Sequence, residues 1–184
     1  MQKSLLLLIF TLFFISSCCK ESHESARYML TDEEKDFIPY EQGDSVKFIH
    51  SGGNEFGFEV VNEYTYLDRT YAEHCGENYV AYEYKIAELF SVAPYLNLIF
   101  KVTPVQFHPF LEIQLNNYYF HIDISKTPQM DSVKLGENIF YDVYKVESNM
   151  YDNPEIQPNR VLYNKQFGVL QINFTNNDSI TLKK

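Results

Sequence analysis

The sequence predicts an all-β protein, in which an antiparallel meander of about nine or ten strands forms a curved half-barrel or a sandwich. Three observations predict this fold class. Apolar and polar residues alternate with a period of two along most of the chain after Phe37. The chain contains 15 Tyr and 15 Phe, whose rings favour the half-buried surface of a sheet. Turn-forming residues recur at short intervals between the alternating segments.

Residues 1–17 predict a secretory signal peptide. Lys3 supplies a positive charge, and the run Leu5–Ile15 is apolar apart from Thr11. As a helix, this run would rise only about 16 Å. A bilayer core is about 30 Å thick, so the run is too short to remain as a membrane span in the mature protein.

The residues Ile15-Ser16-Ser17-Cys18 follow this apolar run. They resemble the lipobox of bacterial lipoproteins, in which a branched aliphatic residue and two small residues precede an acylated cysteine. The resemblance implies that two or three acyl chains, palmitate among them, anchor Cys18 to the membrane. It places the protein in the bacterial cell envelope, at the outer membrane, and leaves the leaflet open. Two alternatives are acylation of Cys19, which would put Ser16 at the aliphatic position, and an ordinary secretory signal.

Residues 18–36 predict a flexible tether, because they are mostly polar and contain few large apolar side chains. Thr31-x-x-Glu34 matches a helix capping box. Pro39 follows so soon that at most about one helical turn can form. The remaining residues, 37–184, then form a single β-rich domain.

The first strands are expected at Val46–His50 and Phe56–Tyr66, joined by the turn residues Ser51–Asn54. A further strand is expected over Tyr79–Leu89, and Pro94 ends the segment. A helix competes for this segment, because four apolar residues also have helical spacing: Ile86, Leu89, Phe90 and Ala93. The β-rich surroundings favour the strand.

The clearest unit is a hairpin, in which Leu111–Leu115 and Tyr118–Ile124 alternate around Asn116-Asn117. Asn enters the left-handed backbone region more readily than most residues, so this pair can form a two-residue turn. Leu96–Val102 precedes the hairpin as another alternating strand. The loop Ser148–Asn159 interrupts the later strands, which are expected at Phe140–Val146, Val161–Tyr163, Val169–Phe174 and Ile180–Leu182.

Two segments of the domain, Phe37–Asp44 and Tyr163–Ile172, are similar to segments of small lipoproteins of Bacteroidota-type bacteria. These families are largely uncharacterised, so the resemblance implies no catalytic residues. Some lipoproteins with a similar late hairpin have curved, loosely lipocalin-like sheets that hold hydrophobic cargo. The resemblance therefore supports the half-barrel, but a fold does not determine a function.

The charge argues against nucleic acid as a partner. The chain has 15 Lys+Arg and 25 Asp+Glu, a formal net charge of −10. Removal of residues 1–17 would delete Lys3 and change it to 14 − 25 = −11. An acidic protein lacks the general attraction for phosphate backbones that nucleic-acid binding needs.

Metal, cofactor and catalytic motifs are missing from the sequence, so we expect no metal, no cofactor and no enzymatic activity. The densest group of potential ligands is Glu73–Glu77, which includes His74 and Cys75. Neighbouring residues on a strand point to opposite faces, so a metal there would need distant partners such as His50 or His121. A loop is the expected role of this segment. A Cys19–Cys75 disulfide is conceivable after export, but a free, partly buried Cys75 is favoured.

Three functions therefore compete. The first is a non-catalytic structural or interaction module of the envelope, which the missing chemistry and the lipid anchor favour. The second is a carrier or binding module, in which the aromatic strands hold a hydrophobic or lipid-like ligand; a core filled by these rings argues against it. The third is a hydrolase with a site that is assembled only in space.

Overall fold

A computed structural model describes residues 22–71, 78–104, 109–148 and 156–184. Over these residues the protein is all-β, as predicted, with one short helix. The chain divides into two compact units. We call Met1–Tyr28 with Leu67–Tyr82 the hairpin unit, and Met29–Tyr66 with Glu83–Lys184 the main unit.

The elements follow one another in the order β1 (Glu24–Tyr28), α1 (Asp32–Lys35), β2 (Ser45–His50), β3 (Glu55–Tyr71), β4 (Tyr79–Ser91), β5 (Leu96–Thr103), β6 (Phe110–Leu115), β7 (Tyr118–Asp123), β8 (Met130–Leu135), β9 (Asn138–Glu147), β10 (Pro158–Asn164), β11 (Gly168–Phe174) and β12 (Ser179–Leu182).

The sheet of the main unit consists of two antiparallel meanders. Strands β2 to β7 form one and β8 to β12 form the other, and the pairing of β12 with β2 joins them. The strand order is β7-β6-β5-β4-β3-β2-β12-β11-β10-β9-β8. Neighbouring strands are therefore mostly consecutive in sequence, except at the central seam.

The sheet of the main unit must curl, because a short connection joins its two edges. Strand β7 ends at Asp123 and β8 begins at Met130, a distance of seven Cα steps that reaches at most about 25 Å. Eleven strands laid flat about 4.8 Å apart would separate the edges by about 48 Å. Residues of β7 do contact β9, next to the opposite edge. The main unit is a curled half-barrel.

The hairpin unit contains β1, the last residues of β3 and the first residues of β4. Strand β1 pairs in parallel with the beginning of β4, with Glu24 opposite Tyr79 and Tyr28 opposite Tyr82. The rings of Tyr28 and Tyr82 stack with their centroids 5.4 Å apart. The backbone N–H of Tyr79 also donates a hydrogen bond of 3.0 Å to the carbonyl of His23.

The strands that the sequence predicted are confirmed. Tyr79–Ser91 is a strand, which decides against the competing helix. Asn116 occupies the left-handed region with φ of +50°, so it carries the positive φ of the Asn116-Asn117 turn. Strands β1 and β8 were not predicted. In β8, at the sheet edge, no residue is fully buried, so its sequence lacks a strong apolar alternation.

The tether prediction for residues 18–36 needs correction over the residues that the structure describes, 22–36. These contain β1 and α1. The predicted capping box is present, with the Thr31 side chain accepting from the backbone of Glu34 and the Glu34 side chain accepting from the backbone of Thr31. Leu30 is buried in the main core. Ordered structure therefore begins before Phe37, because a few apolar side chains are enough to dock a polar segment.

The core of the main unit has two parts. The larger cluster fills the concave face and combines residues from β2 to β7 and β9 to β12 with the segment Leu30–Tyr40. The smaller cluster contains Phe140, Val143, Leu162 and Leu170. Leu162 lies between Val161 and Tyr163 of the larger cluster, so the two clusters occupy opposite faces of β10.

Candidate functional site

The concave face of the half-barrel is filled by the protein's own aromatic rings. Phe58, Phe100, Phe120 and Tyr163 each have at most 1% of their surface exposed. The rings of Tyr163 and Phe100 lie 6.5 Å apart, in the range of aromatic pairing. Protein interiors pack as densely as organic crystals, so this face leaves little room for a second molecule.

The segment Leu30–Tyr40 closes this interior and is held there by two tyrosines. The hydroxyl of Tyr163 donates a hydrogen bond to the carbonyl of Phe37. The backbone N–H of Val169 donates to the hydroxyl of Tyr40 at 2.9 Å. Burial raises the pKa of both phenols above the ordinary value, so both remain neutral at physiological pH.

A partly buried charge network holds the same segment from the side of β4. The carboxylate of Glu83 accepts a 2.9 Å hydrogen bond from the backbone N–H of Leu30 and lies 3.2 Å from the ammonium of Lys35. Lys85 donates to the carbonyls of Lys35 and Ile38 at 3.3 and 3.2 Å. The network thus gives partners to the backbone N–H of Leu30 and to the carbonyls of Lys35 and Ile38.

An apolar cleft opens at one end of the main unit, where β2, β4 and β11 end and where β3, β5 and β12 begin. Its volume is about 440 Å³, within the range of small-molecule sites. The ring of Phe56 lies in the cleft and packs 6.3 Å from that of Phe48 in the core. The apolar residues that line it are Phe56, Pro94, Leu96, Ile156, Phe174 and Ile180.

Polar groups stand at the rim of this end cleft. The Nδ1 atom of His50 accepts a 2.9 Å hydrogen bond from the backbone N–H of Gly52. A neutral His50 therefore carries its proton on Nε2, which faces the carboxylate of Asp178 at 3.9 Å. Asp178 also accepts from the hydroxyl of Ser51 at 3.0 Å. These polar groups are bonded to other groups of the protein, so the apolar walls are the part of the cleft that suits a ligand.

A larger cleft of about 800 Å³ at the opposite end is built differently. Several of its charged and polar groups have partners within the protein. Lys85 contacts backbone carbonyls, Lys184 lies 3.9 Å from the ring centroid of Phe167, and the amide oxygen of Asn164 accepts from Gln166 and Phe167. The end cleft is lined mainly by apolar side chains, which suit a small hydrophobic molecule, so it is the better candidate for a ligand site.

The structure separates the histidines that the sequence offered as metal ligands. His50 lies at the rim of the end cleft, and His121 lies 3.0 Å from Glu112 on the polar face of β6 and β7. Among residues 22–71, 78–104, 109–148 and 156–184, no three ligating side chains form a metal-binding group. Cys18, Cys19, His108 and the cluster Glu73–Glu77 lie outside these described residues.

Sequence reasoning missed the end cleft. Its residues come from the ends of several strands and are far apart in sequence, such as Phe56 and Phe174. Each reads as an ordinary apolar strand residue. In an antiparallel sheet the strand ends lie along two edges, so a site made of strand ends could be expected at one of them. Which strand ends lie side by side depends on the strand order, and the sequence did not predict that order.

The described part of the chain contains no helix that is long and apolar enough to cross a membrane. Comparisons with protein-family models, with curated proteins and with solved structures find no match for this chain.

Proposed function

We propose that the protein is a lipid-anchored lipoprotein of the bacterial envelope that acts as a non-catalytic structural or interaction module. The lipobox-like residues Ile15–Cys18 support the anchor, with acyl chains on Cys18. The observation that best supports an interaction module over a carrier is the filled concave face. There the rings of Phe58, Phe100, Phe120 and Tyr163 occupy the space that a carrier would keep open for its ligand. A filled interior leaves the outer surface and the clefts as the places where a partner can bind.

Metabolic labelling with palmitate tests the anchor. The full chain should incorporate label and stay in the membrane fraction, whereas Cys18→Ala should lose both the label and the membrane retention. Cys19→Ala is the matched control and should retain both. An unlabelled product, or label retained in Cys18→Ala, would contradict acylation at Cys18.

Crosslinking in intact envelopes tests the interaction role. A stable neighbour should be captured by the acylated protein at its natural abundance. Recovery of the protein without any crosslinked neighbour, under conditions that capture a known envelope complex, would argue against an interaction module.

The apolar end cleft supports a second candidate function, the binding of a small hydrophobic or lipid-like ligand. A fluorescent fatty acid is a suitable probe, because the cleft offers apolar walls and a polar rim. Ile156 is 64% exposed and lines the cleft, whereas Ile139 is 55% exposed and does not. Ile156→Asp should weaken uptake of the probe by about tenfold, and Ile139→Asp should leave it unchanged. Absence of uptake by the unmodified protein would dismiss this function.

A further inference from the structure

The pairing of β1 limits how far the hairpin unit can lie from the anchor. Cys18 precedes His23 by five residues, which span at most about 18 Å when fully extended. The carbonyl of His23 is bonded to the backbone of Tyr79, and Glu24 pairs with Tyr79 as well. An acylated cysteine lies at the membrane surface. The start of β4 must then lie within about 23 Å of that surface in every orientation, because about 5 Å across the strand pair adds to this length.

One face of the hairpin unit carries side chains that suit the interface of a bilayer. Leu67, Arg69 and Tyr71 alternate along β3 and so share a face. The ring of Tyr79 lies on the same face, 5.6 Å from that of Tyr71 and 5.0 Å from the guanidinium of Arg69. Leu67 and Tyr71 are 40% and 52% exposed. We call these four residues the tyrosine face.

Tyrosine and arginine are the residue types that recognise the headgroup region. Tyrosine has an apolar ring and a polar hydroxyl, and it is enriched where a membrane meets water. Arginine forms paired hydrogen bonds to phosphate oxygens. The described residues of the hairpin unit, 22–28, 67–71 and 78–82, hold four of the 15 tyrosines of the chain: Tyr28, Tyr71, Tyr79 and Tyr82.

We propose that the tyrosine face contacts the lipid headgroup layer in which the acyl chains of Cys18 are anchored. This inference rests on the acylation proposed above. We infer a bilayer as the binding partner, because the short chain between Cys18 and His23 holds this face near the membrane. The contact would give the anchored protein a defined membrane-facing surface in addition to its lipid attachment.

The absence of tryptophan from the sequence allows a direct test with a single inserted fluorophore. The acylated full chain carrying Tyr71→Trp is reconstituted into phosphatidylethanolamine–phosphatidylglycerol vesicles that contain lipids brominated near the headgroup. Leu67→Trp is a second reporter on the same face, in case Tyr71→Trp disturbs folding. Tyr141→Trp is the reference, because Tyr141 is also exposed and belongs to β9 of the main unit.

We expect the bromolipids to quench the tryptophan at position 71 or 67 several-fold more strongly than the tryptophan at position 141. The emission of the reporters should also shift to shorter wavelength on reconstitution. Adding Cys18→Ala to either reporter should abolish the quenching. Equal quenching of the three tryptophans in palmitate-labelled protein would overturn the membrane-facing surface while leaving the anchor intact. Loss of the palmitate label itself would instead refute the acylation.

Discussion

At the scale of single residues, the contact between Gly168 and Tyr40 joins two segments that are far apart in the sequence. Gly168 has φ of +75°, in the region that favours glycine. A Cβ atom at this position would overlap the hydroxyl and the ring of Tyr40. Tyr40 in turn accepts the hydrogen bond from Val169. One glycine therefore creates both the turn before β11 and the space for the ring that closes the interior.

Gly168→Ala should lower the free energy of unfolding by about 3 kcal/mol, because it combines an unfavourable φ with the overlap on Tyr40. Gly43→Ala is the matched control, since Gly43 has φ of +94° and no heavy atom within 4 Å of an added Cβ. It should cost only about 1–2 kcal/mol from the backbone conformation. Urea denaturation measures both values. Equal losses in the two variants would show that the contact with Tyr40 is unimportant.

At the scale of elements, the segment with α1 depends on the main sheet for its stability. A helix of four residues is not stable alone in water, because the conformational entropy lost in forming the first turn exceeds the free energy that the hydrogen bonds of one turn provide. The buried side chains of Leu30, Phe37 and Ile38 dock the segment, and Glu83 satisfies the backbone N–H of Leu30. The capping box then completes the hydrogen bonding at the start of α1.

Glu83→Ala should lower the free energy of unfolding by about 2 kcal/mol, because it leaves the N–H of Leu30 buried without its acceptor and removes the partner of Lys35. Glu83→Gln keeps an acceptor oxygen and should lose less. Glu33 is exposed on α1, so Glu33→Ala should change stability by at most about 0.5 kcal/mol. Thermal unfolding and amide hydrogen exchange at Leu30 provide the measurements. Unchanged exchange at Leu30 in Glu83→Ala would contradict this role.

At the scale of the whole molecule, buried phenols link the stability of the protein to alkaline pH. Burial raises the pKa of Tyr40 and Tyr163 in the folded state above their value of about 10 in the unfolded chain. The folded protein then holds two protons that the unfolded chain releases above pH 10. The stability that these groups contribute is complete below pH 10 and is lost as the pH rises further.

The free energy of unfolding should therefore fall above pH 10 by about 1.4 kcal/mol per pH unit for each of these two tyrosines. Tyr40→Phe should remove one of the two contributions from this slope. Tyr95 is exposed, so Tyr95→Phe should leave the slope unchanged. Urea denaturation between pH 9 and pH 12 gives the slopes. A slope in Tyr40→Phe equal to that of the unmodified protein would refute the link to Tyr40.

The local features of the fold could be read from the sequence because they depend on neighbouring residues. Alternation with a period of two predicted the strands, including β4, where helical spacing competed. The left-handed tolerance of Asn predicted the turn at Asn116, and the spacing of Thr31 and Glu34 predicted the capping box. Strand β8 was not predicted, because an edge strand is too exposed to show a clear alternation of apolar and polar residues.

The candidate sites were not readable in the same way. The end cleft joins residues as distant as Phe56 and Phe174, and the tyrosine face combines the end of β3 with the start of β4. Alternation tells which face of a strand is buried, but it does not tell which strand lies beside it. A site made from several strand ends depends on that missing strand order.

The sequence by itself determined that this protein is built from mostly antiparallel strands, because side-chain alternation and turn chemistry act over a few residues. Only the tertiary structure decided that β12 pairs with β2, that the sheet curls, and that the segment Leu30–Tyr40 fills its opening. These features arise from contacts such as that between Tyr40 and Val169, 129 residues apart. Long-range packing of this kind depends on the shapes of surfaces that exist only after the strands have assembled.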